Sequence, residues 1–405
     1  MADALSAGTY GARVEEEQGV TMRGKEEKRL QRVVACICAT LFALFAFLFV
    51  AVYQSPLLEA FYNNVATGKL DYNGYVLGFI VSALLTSLAL WLNRFAKFRR
   101  EWTALAYLPS ALILAFVTDI DRSIYTGGRS YVGWIVIFAV GIIFYAASSY
   151  VLHHILFEKI KNITMSANRI IWRNLILFVL IFCMVGTLSN GEENFKREAL
   201  MISRYNKGDV EGALEVGNRS LDASPELTAI RAYVLASENL MGERLFEYPQ
   251  LYGSDGLLPG VVQTSPLLPD KVYALIGAEP EAAEEPLNFL RRAAYADSTN
   301  TIAREYYLNA LLLEKCLPEF KDELPLLYGS FDADDLPRHY REALILVSEF
   351  DKNYTLELSS DTLAIQFAKL RETEGKYTNA LERNNYVRKD FGRTYWWYYL
   401  YSKTY

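Results

Sequence analysis

Long apolar stretches fill the first half of the chain and stop near Ser189, after which apolar residues recur at spacings of three and four. A segment that crosses a bilayer must satisfy its backbone amides internally, and about 20 mostly apolar helical residues span the hydrocarbon core. Five stretches meet that need: 33–53, 75–92, 103–118, 132–152 and 174–188. The third is short and carries Pro109 near its middle, which predicts a kink. Arg23, Lys25, Lys28, Arg29 and Arg32 precede the first stretch. That stretch is too long for a cleaved leader and is followed by further spans, so it reads as a retained anchor.

In the second half, Ile302, Tyr306, Ala310, Leu313 and Leu317 form one helical stripe. Tyr340, Leu344 and Val347 begin another, and Leu363, Phe367 and Leu370 a third. Pro225, Pro249, Pro259, Pro286, Pro325 and Pro337 separate the helices. The pattern predicts an all-α chain: a largely disordered tail over 1–32, a five-span transmembrane bundle over 33–189, and a soluble helical domain over 190–405.

Charge sets an orientation on this plan. Residues 1–189 hold 17 Lys+Arg against 12 Asp+Glu (17 − 12 = +5), and residues 190–405 hold 24 against 35 (24 − 35 = −11). Within the first half, basic residues concentrate before the first span, in the loop of Arg94, Lys97, Arg99 and Arg100, and in the loop of Lys159, Lys161, Arg169 and Arg173. The alternate loops hold Lys69, then Arg122 and Arg129. Lys and Arg favour the cytoplasmic side, so the N-terminus is expected in the cytoplasm of a cytoplasmic (inner) membrane protein. Five crossings place the C-terminal domain outside, in the periplasm of a double-membraned bacterium. The acidic balance of that domain argues against nucleic acid and anionic lipid as its partners. Cys36, Cys38 and Cys183 fall in spans and Cys316 stands alone, so the domain has no disulfide framework and must rely on packing.

Gly208 and Gly242 are 34 residues apart, as are Pro225 and Pro259, and 34 is the tetratricopeptide period. The stretch 206–214 resembles the turn and second-helix start of a tetratricopeptide repeat. That resemblance implies that Gly208 ends a first helix carrying Leu200, that the small residues Ala213 and Ser220 let two helices cross closely, and that Pro225 closes the unit. A second echo at 374–381 places Gly375 and Ala380 at the same spacing, and Gly242 marks a degenerate unit between them. Met201, Gly217 and Glu247 depart from the family pattern, and 250–285 is too rich in Pro and Gly for a regular repeat. Regular repeats are therefore expected near 192–225 and 361–390. The resemblance implies an α-solenoid whose curved inner surface binds peptides or proteins, and it implies no catalysis.

Candidate chemistry is sparse. His153 and His154 fall at the end of the fourth span and His339 lies on an amphipathic helix, so all three read as interfacial or surface residues. A Gly-rich phosphate loop, HExxH and Cys-x-x-Cys are all missing, and no cofactor or resident metal is expected. Asp119 and Asp121, joined by Glu59 and Asp71, form the alternative: a membrane glycosyltransferase-like enzyme using outer-loop carboxylates on a lipid-linked substrate. Five spans leave little room for such a donor. The span interiors contain no charged residue, which argues against transport, and Ser82, Thr86, Ser87, Ser148 and Ser149 read as packing positions. Tyr395, Trp396, Trp397, Tyr398 and Tyr399 are candidate partner-binding residues, although a final helix packed on the domain explains them better. The expected function is a membrane-anchored scaffold or adaptor that binds a protein or peptide partner.

Overall fold

The computed structural model describes residues 29–402 apart from 67–71, 97, 99, 129, 153–166, 190–191, 219, 221–222, 261–262, 330 and 355–361. Residues 1–28, Asp71, His153 and His154 lie outside the described residues. Among those described, every regular element is helical, and the chain divides into two units, Met1–Gly191 and Glu192–Tyr405.

In the first unit five helices are long and apolar enough to cross a membrane: Arg29–Tyr53, Gly74–Ala96, Glu101–Thr118, Val132–Tyr150 and Ala167–Leu188. We name Arg29–Tyr53 α1, the interposed helix Ser55–Ala66 α2, and Gly74–Ala96 α3. The third span is composite. A 3-10 segment, Arg100–Tyr107, leads into α4, Leu108–Thr118. Pro109 therefore lies in the first turn of α4, where its missing N–H costs nothing, and the expected mid-span kink gives way to an irregular backbone at Trp102 (φ −131°, ψ 19°). Val132–Tyr150 and Ala167–Leu188 are α5 and α6.

Small residues and polar staples hold these helices together. A Cβ on Gly78 of α3 would come within 2.8 Å of Ala51 Cβ on α1, and one on Gly141 of α5 would run into Leu112 Cδ1 on α4. Asn174 Oδ1 on α6 accepts the buried Ala104 N–H at 2.8 Å, and Ser110 Oγ donates to Leu85 O at 2.8 Å. Ser82 Oγ donates within its own helix to Phe79 O. The outward face of α5 is a continuous apolar surface that includes Ile135, Val136, Val140 and Ile143, as a lipid-facing helix requires.

The second unit runs through α7 (Glu193–Asn206), α8 (Val210–Glu215), α9 (Pro225–Ser237) and α10 (Met241–Arg244). After α11 (Pro269–Ile276) and α12 (Pro286–Ala296) come α13 (Thr301–Leu313), α14 (Leu317–Tyr328) and α15 (Arg338–Phe350). The chain ends with α16 (Thr362–Lys376), α17 (Ala380–Phe391) and α18 (Tyr395–Tyr401). Local signals set the boundaries: proline opens α9, α11 and α12, and side chains of Asp209, Ser224, Asn300, Asn379 and Thr394 accept N–H groups at helix starts. Helices α9 and α13 are buried around most of their circumference and form the centre of the core.

The positions singled out for repeat packing divide. Gly208 adopts φ +80° just past α7, Ala213 is fully buried on α8, and Leu200 packs half-buried against the core. Ser220 Oγ accepts from Arg197 Nη1 at 2.8 Å, and Pro225 starts α9. Gly242 is buried where a Cβ would meet Pro337 Cβ at 2.7 Å and Glu305 Oε2 at 3.0 Å. The second echo behaves differently. Gly375 lies inside α16 with open space around it, and Ala380 is the exposed first residue of α17, so the close crossing expected at 374–381 is absent.

Candidate functional site

The second unit contains a groove of about 890 Å³. One wall comes from the start of the unit, where the N-terminus of α9 presents Ser224 and Pro225 beside Asn218, and from the loop Tyr248–Tyr252. The other wall comes from the end of the chain, with Asn384 and Arg388 on α17 and Trp397 and Tyr401 on α18.

Local bonds explain why these side chains stand where they do. On the first wall Tyr252 Oη donates to Ala223 O at 2.9 Å, and Gln250 Nε2 donates to Leu245 O at 2.9 Å, which pins the loop. Tyr248 Oη accepts from Arg244 Nη2 at 3.0 Å. On the second wall Trp397 Nε1 donates to Asn384 Oδ1 at 3.0 Å, and the Arg388 guanidinium lies 5.2 Å from the indole centroid. The Tyr401 hydroxyl is hydrogen-bonded to Glu374.

Burial raises the pKa of Tyr248, Tyr252 and Tyr401, so the phenols are neutral across the physiological range. Glu247 is ion-paired with Arg244 at 3.1 Å. The groove thus offers aromatic faces and amide groups, chemistry suited to an extended chain with its own amides.

Of the five aromatic candidates, the structure puts three in the core. Trp396 is fully buried and its Nε1 donates to Glu342 O at 2.7 Å; the Tyr395 N–H donates to Glu342 Oε2 at 2.7 Å; Tyr398 Oη donates to Leu313 O at 2.7 Å. Tyr399 packs its ring near Phe350 and Tyr395. Only Trp397 of the five lines the groove. Tyr401, four residues on, shares its face and was readable from helical spacing alone. Tyr248, Tyr252 and Asn218 had no comparable local signal.

Other titratable groups serve the core. His339 is fully buried, not at the surface, with Nδ1 2.9 Å from Glu342 Oε2, and Arg338 Nε also donates to Glu342 at 2.9 Å. Glu305 accepts the Tyr340 hydroxyl at 3.0 Å and is hydrogen-bonded to Tyr328.

The described loop carboxylates are occupied locally. Asp119 Oδ2 accepts Trp134 Nε1 at 2.6 Å, and Asp121 Oδ1 accepts the Ser123 N–H at 2.9 Å and bonds its hydroxyl. Glu59 is buried on α2. Among the described residues no group of three or more His, Cys, Asp or Glu is placed to hold a metal ion.

A family model described as a family of unknown function (DUF6057) matches residues 263–402. The match takes in α11 to α18 and one wall of the groove, and leaves the wall from Asn218 to Tyr252 outside it. No curated protein and no solved structure matches the chain.

Proposed function

We propose that the protein is a membrane-anchored scaffold or adaptor whose C-terminal unit holds a protein or peptide partner in this groove. In this reading α1 and α3 to α6 anchor the chain, and the soluble unit, an irregular tetratricopeptide-like solenoid, stands on the extracytoplasmic side of the inner membrane. The observation that supports it is the groove itself, lined by Trp397, Tyr401, Tyr248 and Tyr252 together with amide side chains from the opposite end of the unit. Aromatic anchors in a partly desolvated cleft are the usual energetic centres of protein recognition. Among the described residues, Asp119 and Asp121 are bonded to Trp134 and Ser123, which gives the transferase alternative no support.

The test is a photoreactive amino acid placed in cells at Asn218, inside the groove, and in a second strain at Leu326, which is exposed and does not line it. The expected result is a discrete crosslinked protein from Asn218 and none from Leu326. Equal crosslinking at both positions, or none at either, overturns the reading.

A further inference from the structure

Arg231 is the one residue of α9 whose chemistry conflicts with its position. Only 1% of it is exposed, and its guanidinium is held by Nη2 donating to Val216 O at 2.7 Å and by the Tyr248 ring 4.6 Å away. Its Nε and Nη1 are buried without a hydrogen-bond partner, and among the described residues no carboxylate pairs with it. Burial lowers its pKa to about 10, which still leaves it charged at neutral pH. An unpaired buried cation is among the costliest arrangements a fold retains, and hydrophobic residues of similar size replace such groups without loss.

Its location gives the charge a use. Tyr248, which covers the guanidinium, lines the groove, as does Asn218, two residues beyond the carbonyl that holds Nη2. The N-terminus of α9, with Ser224 and Pro225 on the same wall, adds the positive end of a 13-residue helix. Arg388 supplies a second cation on the facing wall. Glu247, the acid among the described lining residues, is engaged by Arg244.

We infer that this wall is a carboxylate receptor: a carboxylate of the bound peptide displaces the Tyr248 ring and takes one of the free Arg231 donors, Nε or Nη1. The exchange replaces a ring contact with a charge-assisted hydrogen bond. This inference rests on the groove being a peptide site. It adds that the peptide is recognised by its negative charge, despite the acidic balance of the unit.

The probe is an array of short synthetic peptides, each made with a free C-terminal carboxylate and as the C-terminal amide. Acidic members are also made with Asp and Glu replaced by Asn and Gln. Binding is read on the full chain in detergent, with Trp397→Ala as the groove control and Arg231→Met and Arg231→Lys as receptor variants. The expected result is that peptides lose binding about tenfold when one carboxylate is neutralised, and that Arg231→Met binds charged and neutral forms alike. Loss on amidation identifies a chain terminus, and loss on Asn or Gln replacement identifies a side chain. Arg231→Met should melt no lower than the parent protein, since it removes an uncompensated charge, and Arg231→Lys should keep part of the discrimination. Peptides that bind through Trp397 with no preference for charge overturn the carboxylate receptor and leave the peptide groove standing. An array in which nothing binds overturns both.

Discussion

At the residue scale, Gly242 and Gly375 separate two meanings of one amino acid. Gly242 has Pro337 Cβ 2.7 Å from where its own Cβ would stand, and Gly375 has open space. Gly242→Ala is expected to destabilise the protein by about 1 to 3 kcal/mol through overpacking, while Gly375→Ala in the exposed part of α16 should stabilise it by up to about 1 kcal/mol. Thermal melting of the two variants checks both, and equal shifts in the same direction would contradict the packing described. The same contrast applies to Ala213 and Ala380: Ala213→Leu should lower the melting temperature and Ala380→Leu should leave it unchanged, because one is buried and the other exposed. From sequence the two glycine-to-alanine spacings were indistinguishable. What separates them is backbone conformation, φ +80° at Gly208 against a helix that continues through Gly375, and that depends on neighbours far along the chain.

Glu305 gives a residue-scale prediction in pH. Burial raises its carboxyl above the ordinary value of 4.5, and hydrogen bonds from Tyr328 and Tyr340 only partly oppose this. A carboxyl with a raised folded-state pKa contributes stability below its unfolded value and loses it as pH rises through the folded one. Glu305→Gln keeps an acceptor for the tyrosines and cannot ionise. Its melting temperature should therefore gain on the parent protein as pH rises above the ordinary carboxyl value of 4.5. A difference that stays constant with pH would show that Glu305 does not titrate in that range.

At the element scale, α18 depends on one buried carboxylate. Glu342 Oε2 takes the Tyr395 N–H at the first residue of α18, and Glu342 O takes Trp396 Nε1, so α15 fixes both the start and the rotation of the final helix. That rotation sends Tyr395, Trp396 and Tyr398 inward and leaves Trp397 and Tyr401 in the groove. Glu342→Ala removes the side-chain acceptor, leaves buried His339 without this partner and leaves Arg338 only its pairing with Glu247, a loss of about 3 kcal/mol. Hydrogen exchange of the 395–401 amides should quicken in this variant more than that of α13. Unchanged protection would mean that the Glu342 side chain does not hold α18. The sequence made α18 readable as an aromatic helix, but its rotation is set by a residue 53 positions away, beyond the reach of local pattern.

At the scale of the whole molecule, the five membrane-length helices were the most legible feature, because crossing lipid would demand a length and composition that few other structures share. Only the third span departed, where 3-10 and α segments join at Leu108. The groove was the least legible, since its walls come from residues near Asn218 and near Trp397, which no periodicity links. Loop charge predicts the orientation. A reporter active only outside the cytoplasm should work when fused after Tyr405 and fail when fused after Arg100; the reverse pattern would overturn the proposed placement of the soluble unit.

The central claim is that the groove holds a partner, and Tyr252 and Trp397 are half-buried ring faces, one on each wall. The most direct measurement compares proteins recovered with the tagged full chain and with its Tyr252→Ala/Trp397→Ala variant, solubilised from membranes at equal expression and with folding checked by melting. The account predicts one stoichiometric companion with the parent chain and its loss from the folded variant. The same companion recovered equally with both chains would contradict it.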